Sequence, residues 1–143
     1  PGTAPEYVTL VKEFAEKTGL APIVLHKEST GYVFNYMFSG LFENALTLAS
    51  RDIASVEDID RAWMGIMRTM IGPFGLMDGV GLDTVWHIQN FWAKKTGDKQ
   101  KIINADFVKK YVSRGELGQK TQKGFYEYPK PSFMSADFLK GIK

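Results

Sequence analysis

GPFGLMDGVGLDTVWH, residues 72–87, decides the fold. Four glycines (Gly72, Gly75, Gly79 and Gly81) and Pro73 stand among large apolar residues, and the segment then runs into an amphipathic stretch. Glycine allows tight turns and close backbone approach, so this spacing predicts a corner where a short helical turn packs against its neighbours. Longer helical patterns lie on both sides and need partners for their apolar faces. Folding them back on one another supplies those partners.

Upstream of the corner, residues 32–49 carry Phe34, Met37, Phe38, Leu41, Phe42, Ala45 and Leu48 on one wide face. The first half is apolar nearly all round, as in a helix buried in a bundle or between two subunits. Asn35, Ser39, Glu43 and Asn44 interrupt it too often for a membrane span. Ser55 to Asp58 reads as a capping signal ahead of a core-facing stripe of Ile59, Ala62, Trp63, Ile66, Met67 and Met70. Nearer the start, Thr3 to Glu6 reads as a capping box for a helix bearing Tyr7, Leu10, Val11, Phe14 and Ala15, stopped at Gly19. Residues 21–25, APIVL, have the length and composition of a strand. A lone strand cannot satisfy its own edges, which points to a sheet this chain does not contain.

Downstream, Asp83 or a neighbour caps a helix with Val85, Ile88 and Trp92 inward, Phe91 at its edge and Gly97 as its stop. Asn104 precedes Phe107, Val108, Tyr111 and Val112, which pair at helical spacing before Gly115. The stretch GQKTQKGFYEYPKP is turn chemistry with Phe125, Tyr126 and Tyr128, read as a loop that lays aromatic rings over the bundle, and Ser135 to Leu139 adds a last helical turn.

A chain of 143 residues with 44% hydrophobic content supports one sizeable core. Its net charge of +2 argues against a general nucleic-acid binder. The charge is uneven: residues 94–143 hold 12 basic against 5 acidic side chains, and residues 1–93 hold 6 against 11. The C-terminal third can therefore meet phosphate, although a solvated helix face is the plainer account. Cysteine is absent, so there is no disulfide, thiolate nucleophile or cysteine zinc site. With no signal peptide or membrane-length apolar run, the cytoplasm is the expected compartment. The chain begins at Pro1 without a methionine, which suggests processing or a piece of something longer.

Few residues offer chemistry. Gly79-Val-Gly81-Leu-Asp-Thr84 lacks the third glycine of a dinucleotide fingerprint and follows no strand, so that reading is rejected. Asp83 and His87 lie four apart and can share a helix face as an acid–base pair or as metal ligands, but Asp83 as a cap and His87 at the surface is preferred, and no metal site is expected. Asp78 and Asp83 resemble a carboxylate couple, yet acids in a first helical turn are explained by the helix dipole. Asn35 sits one turn into an apolar helix, where its amide either makes a local polar contact or faces a cleft and meets a substrate carbonyl.

GYVFN at 31–35, ASVEDIDRAW at 54–63, GPFGLMDGVGLDT at 72–84 and GQKTQKGFYEY at 118–128 occur in an order and spacing that resemble the C-terminal domain of 3-hydroxyacyl-CoA dehydrogenases, of the bacterial 3-hydroxybutyryl-CoA type. The resemblance implies an all-α bundle of the 6-phosphogluconate dehydrogenase C-terminal-like type. It makes residues 1–27 the last helix and strand of a missing Rossmann domain, and residues 28–143 the dimerising, substrate-side domain. It also implies NAD-dependent oxidation of L-3-hydroxyacyl-CoA in fatty acid and butanoate metabolism. NAD and the catalytic His–Glu pair belong to the missing domain. Asn35 is the active-site residue that carries over, near the reacting end of the substrate, and Lys120 and Lys123, with Lys94 and Lys95, are candidates for the coenzyme A phosphates. The expected partners are an acyl-CoA and a second copy of the chain, through residues 32–49, with no nucleic acid and no membrane. By itself the chain is expected to be inactive. The alternative is a free-standing dimerisation or regulatory module, which the reading frame upstream of Pro1 distinguishes. The chain departs from the family pattern in three places: Tyr36 replaces an arginine, Met67-Arg68-Thr69-Met70 stand where glycines are usual, and Gln122 replaces a glycine.

Overall fold

The computed structural model describes residues 2–140 and divides into two compact units, Pro1–Tyr36 and Met37–Lys143. Six α-helices run along the described residues: α1 (Pro5–Lys17), α2 (Phe34–Ser50), α3 (Val56–Met67), α4 (Pro73–Val80), α5 (Leu82–Thr96) and α6 (Lys99–Val112). Three 3-10 turns follow, at Gln119–Thr121, Ser132–Met134 and Phe138–Lys140. The all-α expectation holds. Among the described residues β pairing is confined to two isolated bridges, Gly118 to Lys123 and Lys123 to Glu127, and residues 21–25 form no ladder because nothing there offers them an edge.

In the first unit, α1 starts one residue later than a capping box requires. Ala4 is the N-cap and Pro5 the first helical residue, which puts Glu6 at the second position, out of register with Thr3, and no side chain caps the helix. The stop at Gly19 is as expected: its φ is +81°, and Leu20 N donates to Ala15 O at 2.9 Å. None of the residues of α1 is buried, and Phe14 is 68% exposed.

The second unit has a continuous core. Phe42 and Leu46 of α2, Ile59 and Met64 of α3, Phe74 and Met77 of α4, Leu82 and Val85 of α5 and Val108 of α6 meet Tyr126, Phe133 and Phe138 of the last segment. Ser55 caps α3 as its sequence predicts, accepting from Asp58 N at 3.0 Å. The stripe on α3 is covered only in its first part: Ile66 is 80% exposed and Met70 is 87% exposed, because the chain turns away at Arg68 in a left-handed conformation. The inward line of α5 is Leu82, Val85, Gln89 and Ala93, with Ile88 outward, and Gly97 ends the helix at φ +66°. Asp98 caps α6 by accepting from Lys101 N at 2.9 Å, so that helix begins at Lys99, ahead of Asn104, which is buried inside it. There the Asn104 amide donates to Thr47 Oγ1 (3.0 Å) and Glu43 O (3.2 Å) and accepts from Ser50 Oγ (2.8 Å) and Gln100 Nε2 (2.9 Å), tying α6 to α2 with every polar valence met.

Candidate functional site

Asn35 is the second residue of α2, in the first unit, and is exposed. The turn ahead of it is left-handed at both Gly31 (φ +82°) and Tyr32 (φ +54°), and Tyr36 N donates to Gly31 O at 3.2 Å. A Cβ on Gly31 would lie 3.1 Å from Tyr36 N, so the glycine lets the chain pass closely under the helix start that presents Asn35.

The corner at residues 72–84 is built on two buried carboxylates. Asp60 of α3 accepts from Phe74 N (2.8 Å), Gly75 N (3.0 Å) and the Tyr126 hydroxyl (3.0 Å), so it closes the open end of α4 where Gly72 has no side chain to do so. Asp78, in the last turn of α4, accepts from Phe125 N (2.9 Å), Tyr126 N (2.9 Å) and the Tyr128 hydroxyl (3.0 Å). The helix-dipole account of Asp78 is therefore wrong: it is at the C-terminal end of its helix, held by amides of the 118–128 loop. A Cβ on Gly72 would come within 2.4 Å of Asp60, and one on Gly124 within 2.2 Å of Asp78 Oδ1, so these glycines keep the space the carboxylates fill. Burial pushes the Asp60 carboxyl up to about 6 despite its three hydrogen bonds, and it raises Asp78 in the same way. The phenols of Tyr126 and Tyr128 are raised too, by burial first and then by the carboxylates they serve. Phe125 packs edge-on against Phe74 (4.8 Å between ring centres) and Tyr111 (4.6 Å), as expected for a loop that covers the bundle with rings.

Sequence reasoning missed Asp60. The signal was available: Asp60 interrupts the helical line Val56, Met64, Met67.

Lys120, in the second unit, donates to both Asp83 oxygens at 2.6 Å, and this hydrogen bond is the main reason the Asp83 carboxyl lies below its ordinary range. With that carboxylate engaged, His87 turns its Nδ1 to the Asp83 backbone carbonyl at 2.7 Å, so the two make no acid–base dyad. His87 is at the surface, as preferred. Gly81, not Asp83, is the N-cap of α5. Lys123 lies between Glu116 (3.5 Å) and Glu127 (3.6 Å), and Lys95 rests over the Trp92 ring at 4.9 Å. The residues around Gly79 and Gly81 do not fit a dinucleotide: they join two helices and follow no strand. Among the described residues no helix is long and apolar enough to cross a membrane.

Two carboxylates thus pin the corner of the helical bundle to its aromatic loop. Residues 31–128 match the family model of the 3-hydroxyacyl-CoA dehydrogenase C-terminal domain, and the chain belongs to that family. A probable 3-hydroxyacyl-CoA dehydrogenase of Caenorhabditis elegans is 37% identical over 124 residues, which cover 87% of this chain and 41% of the relative. Among solved structures, a diketoreductase superposes with a TM-score of 0.79 at 36% identity, covering 88% of this chain and 43% of that one. (S)-3-hydroxybutyryl-CoA dehydrogenase from Ralstonia eutropha does so with a TM-score of 0.76 at 29% identity, covering 90% of this chain and 44% of that one. The chain thus spans about two fifths of the length of the curated relative in Caenorhabditis elegans.

Proposed function

We propose that this chain is the substrate-side and dimerising part of an NAD-dependent L-3-hydroxyacyl-CoA dehydrogenase, oxidising 3-hydroxyacyl-CoA to 3-ketoacyl-CoA in the fatty acid and butanoate metabolism of the cytoplasm. The family match over residues 31–128 carries the reading, since it takes in Asn35 at the head of α2 as well as both segments locked by Asp78. NAD, which takes the hydride, would be held by a preceding domain of which residues 1–27 are the tail. Asn35 contributes an uncharged amide that can donate to the substrate 3-oxygen when it is a carbonyl and accept from it when it is a hydroxyl. No change of protonation is needed between the two directions. Lys120 and Lys123, with Lys94 and Lys95, attract the coenzyme A phosphates. Lys120 and Lys123 would exchange carboxylate partners for phosphate, a modest cost because exposed ion pairs are worth about 0–1 kcal/mol. The second copy docks along residues 32–49, where Met37 is exposed.

The chain mixed with NADH and acetoacetyl-CoA should show no loss of nicotinamide absorbance above blank. In the protein together with its preceding domain, Asn35→Ala should lower kcat by about 100-fold, the scale for loss of one oriented hydrogen-bonding group at a reacting oxygen. An unchanged kcat rejects the role of Asn35, and turnover by the chain alone rejects the division of labour. Light scattering should report a dimer at micromolar concentration. Reversing Lys120 and Lys123 to glutamate should weaken acyl-CoA binding and flatten its salt dependence.

A further inference from the structure

Helix α2 begins at Phe34, behind Val33, whose side chain has no polar atom to offer the open amides of the first turn. One of those amides is served from further back: Tyr36 N donates to the Gly31 carbonyl at 3.2 Å. For that carbonyl to lie beneath the helix start, the chain passes through two successive left-handed residues, Gly31 at φ +82° and Tyr32 at φ +54°. Glycine adopts this conformation freely, whereas tyrosine is strained by it. Tyr32 is 70% exposed, so packing of its ring does little to offset the strain. The turn also presses on one residue in particular. A Cβ on Gly31 would lie 3.1 Å from Tyr36 N, 3.3 Å from the Asn35 carbonyl carbon and 3.5 Å from Asn35 Cβ, the first two closer than side chains ordinarily approach backbone. Any side chain at position 31 therefore displaces Asn35 or the turn that carries it. Strained backbone of this kind gathers where the placement of a side chain matters to function.

We propose that Gly31 and Tyr32 are positioning residues, whose left-handed turn aims the Asn35 amide at the 3-oxygen of the substrate. This rests on the role proposed above for Asn35, and it adds that the reaction requires the backbone conformation at 31 and 32 and not the Tyr32 side chain. The test uses the protein together with its preceding domain, with NADH and acetoacetyl-CoA. Gly31→Ala should lower kcat about tenfold, the scale of a small displacement of a group at the reacting centre, and leave KM for acetoacetyl-CoA within about twofold. At position 32, kcat should follow tolerance of the left-handed conformation and not likeness to tyrosine. Tyr32→Gly and Tyr32→Asn therefore retain it, while the β-branched Tyr32→Val lowers it. In an Asn35→Ala background, Gly31→Ala and Tyr32→Val should lower kcat no further, because the group they place is gone. A loss from Gly31→Ala that multiplies the loss from Asn35→Ala marks a merely structural role and overturns the proposal while Asn35 keeps its own. An active Tyr32→Val beside an impaired Tyr32→Gly assigns position 32 to its side chain and overturns it as well. A kcat untouched by Asn35→Ala defeats both readings together. Should Gly31→Ala fail to fold, the position-32 series, with and without Asn35→Ala, decides the matter.

Discussion

The two units of this chain use similar helical sequences with opposite results. In Pro1–Tyr36, α1 repeats apolar residues at helical spacing and has none of them buried. In Met37–Lys143, α3 and α4 send Ile59, Met64, Phe74 and Met77 into a core with Asp60 and Asp78 fully enclosed beside them. Periodicity makes the helix in both cases. What differs is whether polar cross-links hold other segments of the same chain over the apolar face. Asp60 binds α3 to α4 and Tyr126, Asp78 binds α4 to the 118–128 loop, and Asn104 binds α6 to α2.

The comparison breaks if those cross-links prove dispensable. Asp60→Ala leaves two α4 amides and the Tyr126 hydroxyl without their buried acceptor, and it should cost about 3 kcal/mol, within the range for removing a buried hub. Asp60→Asn keeps one acceptor oxygen and should cost less. Urea denaturation followed by tryptophan fluorescence measures both, and a loss under 1 kcal/mol for alanine would contradict the role given to Asp60.

The pH dependence sharpens the same point. A carboxyl raised to about 6 from 3.8 binds its proton more tightly in the folded chain. Its contribution to stability is therefore greatest below 3.8 and declines as pH rises through 6. Asp78 acts in the same direction. On protonation the Tyr126 hydroxyl can turn from donor to acceptor, so the link to Asp60 survives. Asp83 and Glu116, lowered by Lys120 and Arg114, oppose the trend in more acidic solution, but both are exposed to salt screening. Stability at pH 5 should exceed that at pH 7.5 by about 1–2 kcal/mol, and Asp60→Asn should remove most of the difference. A wild-type chain more stable at pH 7.5 contradicts the assignment.

The sequence made some of this legible and hid the rest for identifiable reasons. Ser55, Gly97 and the aromatic loop are local signals, and each appears where its chemistry puts it. The buried acids are long-range features. Asp60 is an ordinary surface residue until Gly75 N and Tyr126, 15 and 66 positions away, are brought to it. The apolar stripe ending at Ile66 and Met70 looked like core, since periodicity identifies an apolar face but not the molecule that covers it. Asn35, Lys120 and Lys123 are marked out by resemblance and by charge, neither of which specifies their surroundings.

Gln122 tests a finer detail of the locked loop. Its φ of +60° is the left-handed conformation that glycine tolerates best. A non-glycine residue there costs about 1 kcal/mol, partly offset by lower entropy when unfolded and by the exposed bond from Gln122 Nε2 to Gln119 O. Gln122→Gly should stabilise the second unit by about 0.5 kcal/mol. A rise in urea midpoint with unchanged slope supports this, and a fall would mean that the side-chain bond outweighs the strain.

The smallest effect belongs to the first unit. Leu10 and Phe14 lie on α1 and are exposed, so replacing both with serine removes no buried contact in this chain. Core substitutions of this kind cost about 3–5 kcal/mol for a phenylalanine, whereas this double change should alter the second unit's unfolding free energy by less than about 0.5 kcal/mol. If residues 1–27 close a preceding nucleotide-binding domain, as proposed, the same change made with that domain attached should destabilise by at least about 2 kcal/mol, because there the stripe would have a sheet to cover. Equal, small effects in both settings would show that α1 is uncovered in the longer protein too, and residues 1–27 would then be a linker and not the edge of a nucleotide-binding domain.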